Sequence, residues 1–571
     1  MASIALSLGA PIAQAQPASA SQRWVGPAQA GRPRVIATTD GEIDDRCSMV
    51  RFLLYTNEWD VRGIIHSSSC YHWMGDADHP ARDWADVSWL DRQLDAYAEV
   101  YPNLVRHDPN YPTPDYLRSQ VRIGNVAHEG DMSAPSPGSD RIAEVLLDPD
   151  PSPVWLLAWG GVNTIGRALK TIEEDHPEHV APVAAKARVF LIAEQDRVFR
   201  DYLLPRWPDV EYLLCNAYGV IAYDWQRIMS PEEQAFFDAS WMRENILEGH
   251  GPLCAPYEAH GDGRFRSEGD SPSFMHLVDY GLRADRDPSW GGWGGRFERR
   301  EAWWESTPAD YESILCWAPA FQRDWASRAD WCVSAPGEAN HRPTAALNRD
   351  ASGAALALSV DPGDEVHLSA AGSTDPDGDA LAFRWWTLSS GGDYWADVPV
   401  ADPLSPEAVV RIPADAAGRT AHLILEVTDD GDPPLTSYRR VVLEVSGQPE
   451  PSPRERYLST PIMELPGPPA DSGPWRFLRG YNLGGPAVVI DGNAWTAGGA
   501  PEVSTPPSVL DLPDIPLLPP TDDERARMIH SFRWGNPAIV VVSDVPPGTY
   551  AVYVYVWEDN DSESLAFSLE G

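Results

Sequence analysis

The sequence predicts a multidomain protein in which an α/β domain with a mostly parallel sheet is followed by two all-β sandwich domains. Strand-like and helix-like stretches alternate from about residue 30 to 333, as in a parallel α/β sheet. Short alternating runs with Asp- and Gly-rich turns then fill residues 341–447, and a strictly alternating aromatic run lies within residues 457–571. At 571 residues the chain is too long for one core and fits about three domains.

The α/β domain is assigned to residues 30–333. Five short apolar runs predict its strands: Arg34–Thr39, Val61–Ser67, Val154–Trp159, Arg188–Ala193 and Val210–Cys215. Helical spacing follows at Asp44–Tyr55 and Asn163–Glu173, and Pro231–Leu247 predicts a separate amphipathic helix. The Asp, Tyr and Pro content of Trp73–Asn125 predicts an elaborated loop over the sheet edge.

The first sandwich is assigned to residues 341–447, where alternation predicts strands at Glu365–Ala370, Ala382–Trp386 and His422–Val427. The turns at Ser373–Asp379 and Val427–Asp432 resemble those of PKD and cadherin-like immunoglobulin-fold modules of secreted enzymes. Their aspartates either bind calcium or are solvated turn residues.

The last domain, residues 457–571, contains the run Gly548–Trp557, in which Tyr553, Tyr555 and Trp557 fall on one face. This pattern resembles a malectin-like or carbohydrate-binding β-sandwich. The aromatic face either stacks on sugar or packs against the second sheet.

Composition excludes some partners and favours others. With 44 Lys and Arg against 85 Asp and Glu, the net charge of −41 repels a nucleic acid backbone. The 24 Trp and 20 Tyr supply flat amphipathic rings that suit carbohydrate. Residues 1–22 predict a secretion signal, although a basic start is missing, so we expect a secreted, periplasmic or extracellular protein. No later run predicts a membrane span, and the oligomeric state stays open.

All six cysteines lie in the first 332 residues, and none forms a CxxC pair, which argues against a zinc knuckle. An oxidising compartment permits disulfides such as Cys316 with Cys332. Buried free thiols are the alternative.

Three carboxylates, Asp40, Asp44 and Asp45, crowd the turn between the first strand and the first helix. Ligands of open α/β sheets bind at the carboxyl ends of strands, and three acids there repel one another unless a cation or raised pKa values relieve them. A hard cation, Ca²⁺, satisfies this turn. In the alternative interpretation, Asp44 caps the helix and the other two are solvated.

This acidic turn resembles the amino-terminal calcium motif of the inosine-uridine nucleoside hydrolase superfamily, with Gly41-Glu42 in place of the usual Pro-Gly. Val35–Asp40 and Ser48–Asn57 are more similar still to the nucleoside-hydrolase-like proteins once grouped as a domain of unknown function (DUF1593) and described as Sde0182-like cellulose-binding proteins. Further agreement lies at Trp155–Thr164, Glu268–Phe274 and Trp290–Gly295, so that the resemblance spans residues 33–333.

The resemblance implies a calcium ion held by Asp40, Asp45, Asp270 and the backbone carbonyl of Asn163, with Asp44 holding a sugar hydroxyl. It also implies that Asp40 acts as general base on a water molecule that attacks an anomeric carbon.

The resemblance also bears on further residues of the implied site. Asn216 lies where the superfamily places polar residues that contact sugar. Where relatives that cleave nucleosides often carry a His, this chain has Gly269, so the leaving-group acid has to come from elsewhere. The candidates for this role or for substrate binding are Glu194, Asp196, Glu268 and His72.

The sequence therefore predicts a secreted, calcium-dependent glycoside hydrolase that acts on a poly- or oligosaccharide. A nucleoside N-glycosidase is the alternative within the same reaction class. A non-catalytic, cellulose-like polysaccharide-binding protein is the alternative from a different class.

Overall fold

The structure is a computed structural model that forms two compact units, Met1–Pro449 and Glu450–Gly571. It describes residues 21–25, 31–278, 280–449, 476–498, 500, 503–504, 508–511, 521–534, 540–543, 545–546 and 552. The first described strand, β1 (Ser21–Val25), overlaps the end of the predicted secretion signal and belongs to the sandwich described below.

An eight-stranded sheet in the order β4-β3-β2-β5-β6-β7-β9-β8 organises the α/β domain. Its strands are β2 (Arg34–Thr39), β3 (Asp60–His66), β4 (Val121–Ile123), β5 (Val154–Ala158), β6 (Ala187–Ile192), β7 (Glu211–Cys215), β8 (Glu298–Arg299) and β9 (Trp304–Glu305). Every pairing is parallel except that of β8 with β9.

The strand β2 is an interior strand of this sheet, paired with β3 on one side and β5 on the other. All six of its residues are buried, as expected for a strand covered on both faces. One apolar core lies on each face of the sheet. The residues that follow β2 therefore emerge at the carboxyl edge between the ends of β3 and β5.

The helices that cover the sheet are α1 (Ile43–Leu54), α2 (Ser88–His107), α3 (Pro114–Gln120), α4 (Pro137–Leu147), α5 (Asn163–Asp175), α6 (Val180–Lys186), α7 (Leu204–Arg206), α8 (Trp225–Ile228), α9 (Pro231–Gln234), α10 (Ala239–Met242), α11 (Gly251–Cys254), α12 (Ser271–Met275), α13 (Glu312–Leu315) and α14 (Ala318–Trp331). None of the helices in the described part of the chain is long and apolar enough to cross a membrane.

The prediction of an elaborated loop at Trp73–Asn125 is wrong for much of that segment, which contains the 20-residue helix α2. The internal Pro102 and the acidic residues obscured the helical pattern. The signal was nevertheless present, because Leu90, Leu94, Tyr97 and Leu104 recur at helical spacing and are fully buried.

The predicted single helix Pro231–Leu247 is also wrong, because the chain breaks at Phe237. The Phe237 carbonyl accepts a hydrogen bond from the backbone N–H of Phe265 at 3.0 Å, and the Asp238 side chain caps a new helix by accepting from the N–H of Trp241 at 2.8 Å. The buried ring of Phe237 packs 5.6 Å from that of Trp225. Tertiary packing thus overrides the helical period.

The first sandwich contains β10 (Ala355–Val360), β11 (Glu365–Ser369), β12 (Ala382–Thr387), β13 (Val400–Ala401), β14 (Glu407–Arg411), β15 (Thr420–Thr428) and β16 (Thr436–Val445). One sheet has the order β1-β10-β16-β15-β12 and the other β11-β14-β13. A separate apolar core lies between them. In the Ser373–Asp379 turn, Asp375 Oδ1 accepts three backbone N–H groups at 2.8–3.0 Å.

This sandwich is joined to the α/β domain by a buried clamp, formed by Tyr438 and Arg440 of β16. The N–H of Tyr438 donates to the carbonyl of Tyr280 at 2.7 Å. The fully buried guanidinium of Arg440 donates to the carbonyls of Leu282 at 2.5 Å and Gly291 at 2.7 Å. These bonds fix the two domains of the first unit against each other.

The second unit is rich in short strands, in agreement with the predicted fold class. Its described residues contain β17 (Tyr481–Asn482), β18 (Val488–Ile490), β19 (Asn493–Ala497), β20 (Val503–Ser504), β21 (Ser508–Asp511), β22 (Ser531–Trp534), β23 (Val541–Val542) and the helix α15 (Asp523–His530). The predicted aromatic face of Tyr553, Tyr555 and Trp557 lies outside the described residues.

All six cysteines are free thiols in the structure, so the pairing of Cys316 with Cys332 is not formed. Of the two alternatives from the sequence, the structure has the unpaired thiols, most of them buried.

Candidate active site

The acidic turn lies where β2 ends, between the carboxyl ends of β3 and β5. Asp40 follows the strand directly, and α1 begins at Ile43, which places Asp44 and Asp45 in its first turn. The N-cap residue of α1 is Glu42, and Asp40, Asp44 and Asp45 are buried. The interpretation in which Asp44 caps the helix and its neighbours are solvated therefore does not hold.

Hydrogen bonds fix Asp45 against the end of β2. Its Oδ1 accepts from the Thr39 hydroxyl at 2.5 Å and from the N–H of Asp40 at 3.1 Å. The other carboxylates are less well satisfied. Oδ2 of Asp40 and Oδ2 of Asp270 are buried and accept no hydrogen bond from the described residues. Buried carboxylate oxygens without a donor are costly, so these two atoms point to a missing partner.

Asp270, which precedes α12, completes the acidic cluster, defined as Asp40, Asp44, Asp45 and Asp270. Carboxylate oxygens of Asp44, Asp45 and Asp270 lie within 4.8 Å of one another. Burial, reinforced by neighbouring carboxylates, raises the pKa of Asp45 and of Asp270 well above the ordinary value and that of Asp44 to about 7. Burial also raises the pKa of Asp40. An all-oxygen donor set with unsatisfied charge fits a hard cation such as Ca²⁺.

The turn between β5 and α5 forms the adjoining wall, and its glycines let it approach the cluster. A Cβ on Gly160 would lie 3.2 Å from Asp40 Oδ2, and one on Gly161 would lie 2.5 Å from Asp196 Oδ2. Asn163 begins α5, and its N–H donates to Asp196 Oδ2 at 2.9 Å. The side chain of Asn163 bonds to Ser67 and Ser68 and so ties this turn to the end of β3.

The candidates Asp196 and Glu268 already have buried partners. Asp196 accepts the N–H groups of Asn163 and of Val198, the latter at 2.8 Å, and burial raises its pKa to about 6. Glu268 forms an ion pair with Arg51 at 2.5 Å, with both side chains at most 2% exposed. These contacts give both residues structural roles beside the cluster.

The candidates Glu194 and Asn216 also lie at strand ends, but their side chains form hydrogen bonds with residues outside the acidic cluster. Glu194 pairs with Arg200 at the surface, with Nε of Arg200 donating at 2.8 Å. The amide of Asn216, after β7, donates to Glu305 Oε1 at 3.2 Å. His72 is the candidate that lies beside Asp40. One ring nitrogen of His72 and one carboxylate oxygen each of Asp40 and Glu42 lie within 4.8 Å of one another.

Glu42 is a site residue that the sequence reasoning did not select. Its carboxylate lies 3.5 Å from Nε2 of His72 and accepts from the Tyr223 hydroxyl at 3.2 Å. His72 also donates through Nδ1 to the carbonyl of Asp83 at 2.8 Å. Burial opposes the charge on His72, but these hydrogen bonds raise its pKa to about 9. The signal in the sequence that could have pointed to Glu42 was the replacement of the usual Pro-Gly by Gly41-Glu42.

Gly269 is constrained by Asp44. A Cβ at this position would lie 2.7 Å from Asp44 Oδ2 and 3.3 Å from the ring of Tyr218. The side chain that relatives often carry here has no room, because Asp44 and the Tyr218 ring occupy the space. Burial and the charges of Asp44 and Asp270 raise the pKa of Tyr218 to about 12, which keeps its phenol protonated.

The raised pKa values predict how stability depends on pH without calcium. A carboxyl group whose pKa is higher in the folded state favours folding below its unfolded pKa and loses that contribution as pH rises through the folded value. With EGTA, we expect stability to fall between about pH 4 and pH 7, by up to about 4 kcal/mol from Asp44 alone. Calcium should reverse the loss.

Thermal unfolding at pH 5 and pH 8, with calcium or with EGTA, measures this effect. The Asp44→Asn variant isolates the contribution of Asp44, because an amide cannot titrate. The stability of this variant in EGTA should therefore depend less on pH. A wild-type protein with the same pH dependence as Asp44→Asn, and without a gain from calcium at pH 8, would contradict the expectation.

Comparison with known proteins identifies the family. Residues 34–297 match the model described as "Cellulose-binding Sde182, nucleoside hydrolase-like domain", and residues 365–445 match "Cellulose-binding protein Sde0182, C-terminal domain". No curated protein matches the chain.

One solved structure supports this assignment. A nucleoside hydrolase-related protein from Saccharophagus degradans, described as associated with carbohydrate metabolism, is 32% identical with a TM-score of 0.63, and the match covers 73% of this chain and 100% of that one. A plant nucleoside hydrolase also matches, at 12% identity and a TM-score of 0.26 over 52% of this chain and 99% of that one. The chain belongs to the Sde182 family of cellulose-binding proteins, which has a nucleoside hydrolase-like domain.

Proposed function

We propose that this protein is a calcium-dependent glycoside hydrolase that acts on a poly- or oligosaccharide. The observation that carries the proposal is the acidic cluster at the carboxyl edge of the sheet, with buried, unpartnered oxygens on Asp40 and Asp270. The family description and the carbohydrate association of the Saccharophagus relative support a glycan substrate. Since glycan polymers are met outside the cell, export is part of the proposal.

Asp40, Asp45 and Asp270 would hold the cation, together with the carbonyl of Asn163 that the family resemblance adds. Calcium, when bound, would offset the carboxylate charges and supply open positions for water and sugar hydroxyls. Asp44 would then be free to accept a hydrogen bond from a sugar hydroxyl. Burial keeps this arrangement in a region of low dielectric constant, where each interaction is strong.

Asp40 is the proposed general base. Its Oδ2 has no donor among the described residues, so it is available to take a proton from an attacking water molecule. Burial raises the pKa of Asp40 from its ordinary value, which makes the carboxylate a stronger base. Direct attack by water at the anomeric carbon inverts its configuration.

The leaving oxygen needs a proton from a different direction. In inverting glycosidases the acid and the base lie about 6.5–9.5 Å apart, one on each side of the sugar ring. A ring nitrogen of His72 lies within 4.8 Å of an Asp40 oxygen, which places it on the side of the base. Our candidate for the acid is Tyr218, whose ring lies 3.3 Å from the Cβ position of Gly269 beside Asp44 and whose phenol stays protonated because burial and neighbouring carboxylates raise its pKa.

Aromatic rings at the rim suit a sugar substrate. Tyr71 and Tyr223 are more than half exposed, and the hydroxyl of Tyr223 is anchored on Glu42. Trp84 stacks on His66, whose Nε2 contacts the carbonyl of Asp40 at 3.4 Å. Flat faces of this kind pack well against the apolar faces of sugar rings.

The test is a product screen of the purified chain against polysaccharides, aryl glycosides and nucleosides, with calcium and with EGTA. The proposal expects new reducing ends from a polysaccharide that disappear with EGTA. Release of free base from inosine or uridine would favour a nucleoside hydrolase instead. Retention on insoluble cellulose without new reducing ends would favour the binding protein that the family description suggests.

The role of Tyr218 has a sharper test. Tyr218→Phe should slow hydrolysis of an unactivated glycan by roughly 10²–10⁴-fold, the usual size of general-acid catalysis. A nitrophenyl glycoside of the same sugar needs no proton on its leaving group and should be cleaved nearly as fast as by the wild type. Equal losses on both substrates would assign Tyr218 to binding. His72→Asn, which changes the other side of the site, is the matched control and should affect both substrates alike.

A further inference from the structure

A group of side chains of the types that can bind a metal lies outside the acidic cluster, on two surface loops. Residues 73–82 form a short hairpin closed by paired backbone hydrogen bonds between Trp73 and Arg82, both 3.0 Å long. The hairpin packs on the loop after β4, because the N–H groups of Met74 and Gly75 donate to the carbonyls of Val126 and Ala127 at 2.8 and 3.1 Å. This packing brings Asp76 and His79 beside His128.

The three side chains are spaced for one small cation. One donor atom from each lies within 4.8 Å of the other two. His79 Nδ1 lies 2.9 and 3.1 Å from the two carboxylate oxygens of Asp76, and the rings of His79 and His128 have centroids 4.2 Å apart. Since Zn²⁺ binds nitrogen and oxygen at about 2.0–2.2 Å, adjacent ligands lie roughly 3.3 Å apart, and only small side-chain movements are needed.

The backbone around these ligands is already held in place. Asp76 Oδ1 accepts the N–H groups of Asp78 and His79, both at 2.8 Å, which fixes the turn. The carbonyl of His128 accepts from the Ser68 hydroxyl at 2.8 Å. His128 Nδ1 donates to the carbonyl of Glu129 at 2.8 Å, so in the neutral ring the lone pair is on Nε2, which lies 3.9 Å from Asp131 Oδ1. A backbone carbonyl bound to the far nitrogen is the usual arrangement for a metal-binding histidine.

We propose that Asp76, His79 and His128 form a zinc site separate from the acidic cluster. Two imidazoles and one carboxylate are the ligands of a borderline transition metal, whereas the all-carboxylate cluster suits a hard ion. Water would fill the fourth position, because all three side chains are partly exposed. The net charge of −41 raises the local concentration of cations.

The expected consequence is a stiffer rim of the candidate active site. The hairpin of residues 73–82 lies between His72 and Asp83, which are themselves joined by the 2.8 Å hydrogen bond from His72 Nδ1. An ion that joined Asp76 and His79 to His128 would hold the turn of the hairpin against the loop after β4. The zinc site itself does not depend on the proposed hydrolase function.

The experiment titrates the full chain with Zn²⁺ against a chromophoric chelator, with calcium in excess to occupy the acidic cluster. The wild type should bind one zinc ion that the His79→Ala, His128→Ala double variant binds at least about tenfold more weakly. The control is the His176→Ala, His179→Ala variant, which removes another surface pair whose rings lie 6.3 Å apart. It should bind zinc like the wild type.

Circular dichroism and thermal unfolding of both variants without zinc check that the fold is intact. Cobalt substitution gives an independent readout, because Co²⁺ held by imidazoles should give visible absorption in the wild type and in the control but not in the double variant. The same zinc affinity and stoichiometry in all three proteins would overturn the proposal.

Discussion

Asp45→Asn should weaken calcium binding and slow glycan hydrolysis together. The amide oxygen can still accept from the Thr39 hydroxyl and the N–H of Asp40, so the turn should keep its shape. The lost negative charge lies at the centre of the acidic cluster, next to Asp40, Asp44 and Asp270. We expect calcium affinity to fall at least about tenfold, and kcat by roughly 10²–10³-fold, as when one preorganised electrostatic partner is removed.

Isothermal titration with calcium and a reducing-end assay measure the two effects. Asp44→Asn is the informative comparison, since Asp40, Asp45 and Asp270 remain to hold the ion. We expect it to retain most calcium affinity but to lose turnover. The surface variant Asp95→Asn, which changes an exposed ion pair with Arg118, should alter neither property. Full activity in Asp45→Asn would refute the metal assignment.

Glu268→Gln should cause the largest loss of stability among the site variants. Arg51 donates to both oxygens of Glu268, and its guanidinium lies 4.1 Å from the ring of Trp325. With both side chains almost fully buried, removal of the negative charge leaves Arg51 as an uncompensated buried cation. Breaking such a pair costs about 3–5 kcal/mol.

Urea unfolding of the variant and the wild type measures this loss. The control is Glu194→Gln, which breaks the partly exposed ion pair with Arg200 and should cost less than about 1 kcal/mol. Similar small losses in both variants would mean that the Arg51–Glu268 pair contributes little to the stability of the fold.

Much of the fold was predictable because its main signal is local. The strand Arg34–Thr39 has β-branched residues at four of its six positions, and its observed bounds are those predicted. The two failures have different causes, one distant and one local. The break at Phe237 depends on a hydrogen bond from Phe265, and the helix α2 was concealed by Pro102 and acidic residues.

The candidate site also has a part that the sequence predicts and a part that it does not. The crowding of Asp40, Asp44 and Asp45 followed from their spacing after a strand, and the family resemblance added Asp270. The partners of the remaining candidates are far away in sequence: Glu268 bonds to Arg51, 217 residues earlier. Sequence spacing carries no information about such a pair. For the same reason, the contact between Glu42 and His72 became visible only in three dimensions.

The clamp formed by Tyr438 and Arg440 bears on how this protein evolves. The guanidinium of Arg440 is fully buried. The carbonyls of Leu282 and Gly291, to which it donates hydrogen bonds, belong to the neighbouring domain. A recombination event that exchanged only one of these domains would leave the buried guanidinium of Arg440, or the two carbonyl groups, without hydrogen-bond partners. We therefore expect selection to keep the α/β domain and the first sandwich together as one unit.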